Sequence, residues 1–205
     1  PHPGLSPSPR EREGQPVGAY LLITLDSDSE DQLYTLLEQA AELVLDADAM
    51  DVLVADSPAK MRDAWAARSA FLEVIMEETK LLDECDVVVP VTKIASYLEF
   101  VNKTDEECGL VIRSFGHAGD GNLHIYECSN DLTEEEFKKR VDKFFDLIYK
   151  EASAQGGLVS GEHGIGSGKI QYLVKSIGET NMALMEGIKR VFDPKMILNP
   201  GKVCY

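Results

Sequence analysis

Apolar residues recur along the chain in two patterns: short aliphatic runs, and longer stretches with apolar positions three and four apart. The run 17–25 (VGAYLLITL) predicts a strand. Ser29 and Gln32 have the spacing of a capping box, and Leu33, Leu36, Leu37, Ala40, Leu43 and Val44 continue at helical spacing. Residues 51–55 (DVLVA) predict a second strand. Ser57-Pro58 then reads as an N-cap with proline at the first helical position, opening a helix through Trp65, Arg68 and Leu72. Residues 86–90 (DVVVP) predict a strand stopped by its proline, and a helix follows over 92–102. Two further strands, 110–115 and 122–127, flank a Gly-Asp-Gly turn. Thr133 and Glu136 form another capping box, ahead of a stripe at Phe137, Val141, Phe144, Phe145, Ile148 and Ala152. The last predicted helix runs over 182–192 and stops at Asp193-Pro194.

These elements predict an α+β fold, an open and mostly antiparallel sheet with helices on one face. The strand-helix rhythm in both halves hints at two related units, although no repeat is visible in the residues. The first sixteen residues, PHPGLSPSPREREGQP, are rich in Pro, Gly, Ser and charge with little to bury, and read as a linker or leading segment. His2 falls there and is expected to be solvated. Trp65 is expected in the core.

Composition narrows the class. With 205 residues, 44% hydrophobic and 27% charged, the chain reads as an ordinary globular protein of one large or two small domains. A formal net charge of -16 argues against nucleic acid or an anionic membrane surface as partner. No apolar run approaches the roughly 20 residues of a membrane-spanning helix. The four cysteines, Cys85, Cys108, Cys128 and Cys204, have no regular spacing and read as free buried thiols, which leans toward a reducing compartment.

The chemistry concentrates in GHAGDGNLH (116–124) and GEHGIG (161–166), which hold three of the four histidines. His117 and His124 are seven apart and would face opposite sides of one straight strand, whereas a turn at Gly119-Asp120-Gly121 makes a hairpin that brings both imidazoles to one rim. Glu162 meets them only through the fold. His-His-Glu suits Zn, Fe or Mn with positions left open for substrate, and His163, beside that Glu, is placed as a general base. The blander reading stands next to it: histidines near a β-turn are often simply hydrogen-bonded. Asp120 reads as a turn former, and Arg68 as either a solvated helix charge or an anion clamp. Asn199-Pro200-Gly201-Lys202 is by default a turn. The Gly-rich stretch 163–170 is neither a P-loop, since His163 and Ile170 stand where Gly and Ser/Thr are needed, nor a dinucleotide fingerprint.

GHAGDGNLH, then SGEHGIGSGK, then FDPKMILNPGKV closely resemble the carboxyl-terminal domain of flavin-linked 2-hydroxyacid dehydrogenases, over about residues 19–203. That family includes D-lactate dehydrogenase, D-2-hydroxyglutarate dehydrogenase and the glycolate oxidase flavin subunit. The resemblance implies a ferredoxin-like α+β cap domain over 17–205 that follows an FAD-binding domain, of which this chain shows no sequence. The piece alone is then expected to bind little FAD and to lack dehydrogenase activity. The resemblance further implies His117, His124 and Glu162 as ligands of a divalent metal, zinc foremost, with iron or manganese as alternatives. His163 would take the hydroxyl proton. Arg68 would pair with the substrate carboxylate, Asn122 would contact substrate, and Asn199 would approach the flavin. Hydride transfer from a 2-hydroxycarboxylate to FAD, with an electron-transfer flavoprotein, a quinone or an iron-sulfur subunit as acceptor, completes the implied activity. The compartment is left open, between a mitochondrial matrix and a bacterial cytoplasm.

One position departs from part of that family. Members acting on 2-hydroxyglutarate carry a Lys shortly before the DxxxP strand, where Glu84 stands here, with Lys93 as a compensating cation. A monocarboxylate such as D-lactate or glycolate is therefore expected. The contrasting expectation is a non-catalytic metal-binding or interaction module that docks an electron-transfer partner.

Overall fold

The computed structural model describes residues 19–204. The predicted linker and His2 lie outside them, as do the first two residues of the strand expected at 17–25. Two compact units divide between Arg68 and Ser69.

The first unit is helical among its described residues. α1 (Glu30–Asp46) starts at Ser29, whose side chain accepts from the Gln32 backbone N–H. α2 (Pro58–Ser69) starts after Ser57, whose hydroxyl oxygen accepts from the Lys60 N–H at 3.3 Å. Neither helix buries a residue, and Trp65 is half exposed rather than in a core. The strands expected at 17–25 and 51–55 do not form among the described residues. A strand needs a hydrogen-bonded neighbour, and these short apolar runs find none among the described residues. The expectation of two related α+β units fails for the same reason.

The second unit carries the whole sheet: α3 (Phe71–Glu78), β1 (Leu81–Val88), a 3-10 turn (Val91–Lys93), α4 (Ile94–Cys108), β2 (Val111–His117), β3 (Asn122–Ser129), α5 (Glu134–Ala154) and α6 (Ile170–Phe192). The helix expected through Leu72 is broken at Ala70 into α2 and α3. The last helix begins twelve residues earlier than expected and is interrupted at Gly178, with φ 78° and ψ 162°. All strand pairs are antiparallel, in the order β1-β3-β2. With helices α4 and α5 in the crossovers, this is the split βαβ arrangement of ferredoxin-like folds. The bridge between Val88 and Leu158 stands where its fourth strand would run.

Alternation along the strands sorts the residues onto two faces. Leu123 and Ile125 of β3, with Cys85 and Val87 of β1, meet Tyr97, Val101, Phe144, Ile148 and Leu173 in the main core. Side chains buried this completely contribute about 1.5–3 kcal/mol each. That outweighs the roughly 1 kcal/mol of a cap such as the Thr133–Glu136 box that opens α5. The opposite face carries a smaller cluster, in which Ile75 of α3 packs on Tyr126 and Cys128 with Leu82 and Phe115. The end of that face beside the β2–β3 hairpin is polar. All four cysteines are buried and free. Among the described residues no helix is long and apolar enough to cross a membrane.

Candidate functional site

The hairpin carries two histidines on one face. His117 ends β2 opposite Asn122, and His124 lies two residues along β3, opposite Phe115. In this diagonal relation side chains still meet, and the two ring centroids are 5.7 Å apart at 84°. The Gly121 N–H donates to the His117 carbonyl at 3.0 Å, and Asp120 Oδ1 accepts from the Asn122 N–H at 3.1 Å, the turn-forming role expected of it. Gly121 has φ 80°, and a Cβ there would stand 1.9 Å from the Val89 carbonyl oxygen, so the turn admits only glycine.

β1 supplies two carboxylates to the same face, Glu84 and Asp86, with Asp86 directly opposite His124. Asp86 is fully buried. Its Oδ2 accepts from the Ser160 hydroxyl at 2.7 Å and from the backbone N–H groups of Gly161 at 3.1 Å, Glu162 at 3.1 Å and His163 at 2.8 Å. Burial pushes the Asp86 carboxyl up. The donors from His163, Ser160 and Glu162 outweigh it and hold the group below the ordinary carboxylate value. One buried carboxylate thereby anchors the irregular loop that delivers Glu162 and His163. Gly161 in that loop passes so near Asn122 that a Cβ would come within 2.4 Å of its Oδ1.

Glu162 Oε1 then lies 3.1 Å from His124 Nε2 and 3.6 Å from His117 Nε2. Donors held about 2.0–2.2 Å from one tetrahedral ion stand roughly 3.3 Å apart, so the set fits a divalent cation. Buried His124, disfavoured as a cation first by desolvation and then by the neighbouring His163, has its pKa lowered, which leaves the neutral imidazole that metals bind. The surrounding carboxylates, Glu84, Asp86 and Glu162, favour a positive charge here. His163 stacks on His124 with centroids 4.7 Å apart at 21°, and its Nδ1 lies 2.8 Å from Glu84 Oε1. Asn122 is buried, and its Oδ1 has no protein hydrogen-bond partner, which leaves its side chain available to a ligand.

The structure therefore brings His117, His124, Glu162, His163 and Asn122 to one rim. Arg68 closes α2 in the first unit, half-buried. Asn199 is exposed on the turn after α6 with φ 46°. The tail beyond it returns to the second loop, where the Val203 N–H donates to the Gly166 carbonyl at 2.7 Å. Asp86 appeared in the sequence only as the first residue of a strand, and Glu84 only as a substrate-repelling charge. An Asp opening a β-branched run, with a Glu two residues before it on the same face, was the available signal.

In this α+β domain histidines and carboxylates converge on one sheet face, in groups that could hold a metal ion. The sequence agrees with a specific instance. Residues 4–203 match the model of the FAD linked oxidases, C-terminal domain, and the chain belongs to that family. It is similar to a D-lactate dehydrogenase of Anaerostipes hadrus, 59% identical over 197 residues, 96% of this chain and 42% of that protein. A D-lactate dehydrogenase of Archaeoglobus fulgidus is 37% identical over 193 residues, 94% of this chain and 40% of that protein. The glycolate oxidase subunit GlcD of Bacillus subtilis is 31% identical over 193 residues, 93% of this chain and 40% of that protein. The chain spans about two-fifths of the length of these curated relatives.

Proposed function

We propose that this chain is the substrate- and metal-binding part of a flavin-dependent D-2-hydroxyacid dehydrogenase, with residues 17–205 acting as its cap domain and FAD held chiefly outside them. The observation that carries the reading is the convergence of His117, His124 and Glu162 on one point with His163 stacked beside them. The family and the names of its relatives supply the flavin and the substrate class.

A divalent ion, zinc foremost, with iron or manganese as alternatives, would be held by His117, His124 and Glu162, where it supplies Lewis acidity toward the substrate hydroxyl. FAD, when bound, supplies the acceptor for the hydride from C2. The remaining work belongs to the chain. Arg68 would pair with the C1 carboxylate, since a guanidinium suits a carboxylate. Asn122 would contact the substrate from β3, and Asn199 would approach the flavin. With Nδ1 turned to Glu84, His163 accepts the hydroxyl proton at Nε2. The product is the 2-oxo acid. Glu84 beside the site disfavours a second carboxylate, so D-lactate, glycolate or a similar monocarboxylate is the substrate class. The electron acceptor is an electron-transfer flavoprotein, a quinone or an iron-sulfur subunit.

Metal analysis with full-length kinetics tests the reading. His117→Ala should lose the bound metal. His163→Ala should keep it and lose turnover on D-lactate by at least about 10²-fold, the lower range of general-base effects. Metal retained in His117→Ala, or full turnover in His163→Ala, overturns the assignment. Metal binding with turnover untouched by either change would favour a structural ion in a docking module.

A further inference from the structure

Glu84 Oε1 is enclosed by protein and has no hydrogen-bond partner of good geometry, and the same is true of His124 Nδ1. The two orphan atoms face each other at 3.7 Å. The same Glu84 oxygen lies 2.8 Å from Nδ1 of His163. The two imidazoles are nearly parallel, with centroids 4.7 Å apart, and both Nδ1 atoms lie within 3.7 Å of one carboxylate oxygen on β1. We propose that Glu84 is a positioning residue shared by His124 and His163. It holds both rings in the tautomer protonated at Nδ1 and aims both Nε2 atoms at the reaction site.

The physical argument rests on what each ring lacks. A neutral imidazole has one N–H and one lone pair, and a neighbouring acceptor decides which nitrogen carries the proton. In the proposed site His124 Nε2 would give its lone pair to the ion shared with Glu162, whose Oε1 lies 3.1 Å away, and that leaves the proton for Nδ1. Glu84 offers a carboxylate oxygen 3.7 Å from that atom. His163 needs a free Nε2 lone pair to take a proton, which again places hydrogen on Nδ1, against Glu84. A carboxylate oxygen accepts more than one such approach. At 2.8 Å the His163 contact is the closer. At 3.7 Å the His124 contact is electrostatic rather than a hydrogen bond. Metal-binding histidines use a carboxylate on the second ring nitrogen in this way, and losing it costs about 10–100-fold in metal affinity or activity.

This inference rests on the proposed roles of His124 and His163, and the test separates the two. Zinc affinity of this chain is measured by chelator competition, and kcat and KM for D-lactate are measured in the full-length flavoprotein. Glu84→Ala should weaken zinc binding and lower kcat, each by about 10–100-fold, with KM changing less than about threefold. Glu84→Gln, isosteric and still an acceptor, should recover part of both losses even where Glu84→Ala folds poorly. If His117→Ala loses zinc and His163→Ala is inactive, yet both Glu84 variants match wild type, the Glu84 proposal alone fails. A second zinc equivalent that is lost in Glu84→Ala also overturns it, in favour of a cation held by Glu84, His124 and His163. Zinc-free wild-type chain would sink the underlying site.

Discussion

His163 donates its backbone N–H to Asp86 Oδ2 at 2.8 Å, joining residues 77 apart in the sequence. The same oxygen holds Ser160, Gly161 and Glu162, so the loop that carries both the proposed base and the proposed carboxylate ligand depends on a residue of β1. The site is a sheet face and a loop fastened to each other by one buried anion.

Asp86→Ala should therefore destabilise the chain by about 1–3 kcal/mol, because four part-buried donors lose their acceptor together. Asp86→Asn should cost less, since an amide oxygen still accepts. Denaturant unfolding of the three proteins checks the ranking. Equal stability of Asp86→Ala and wild type would show that the loop is held by other contacts.

The hairpin turn makes a second, purely steric prediction. At Gly121, φ 80° and the Val89 carbonyl oxygen 1.9 Å from a would-be Cβ should make Gly121→Ala cost about 2–3 kcal/mol. Gly119 has nothing within 4 Å of the same atom, and Gly119→Ala should change stability by no more than about 0.5 kcal/mol. Paired thermal melts measure the contrast, and similar losses for both variants would contradict it.

Glu127 offers a pH-dependent test away from the site. It lies on β3 facing the main core, fully buried, with neither carboxylate oxygen hydrogen-bonded. Burial, then the nearby Asp83, raises its pKa well above the ordinary 4.5. The folded chain therefore binds this proton more tightly than the unfolded chain does. That contribution to stability is complete at acid pH and is lost as pH rises from the ordinary value through the folded-state value. Glu127→Gln cannot ionise, so its melting temperature should gain on wild type as pH rises from about 4 to about 8. A difference that is flat or narrows across that range would refute the assignment.

The hairpin, the Thr133 box, the α5 stripe and the rim of histidines were legible because each is written locally, in turn residues, caps or spacing. The runs 17–25 and 51–55 misled because a short apolar run carries no record of whether a partner strand exists. The first half of α6 was missed because it follows a Gly-rich stretch and Lys169 gives no side-chain cap. The break at Gly178 depends on a single left-handed residue. Asp86 was illegible as an anchor because its four donors lie 74 to 77 residues away. A sequence names the acceptor, and only the fold brings its donors to it.

β3 pairs on both edges, and its residues divide between two surroundings that tolerate opposite chemistry. Asn122, His124 and Tyr126 face the site side, while Leu123, Ile125 and Glu127 face the helices. Inserting or deleting one residue within the strand would exchange the two sets, sending imidazole into hydrocarbon and isoleucine to the polar rim. A change of length inside β3 that keeps both faces in place is therefore one of an even number of residues.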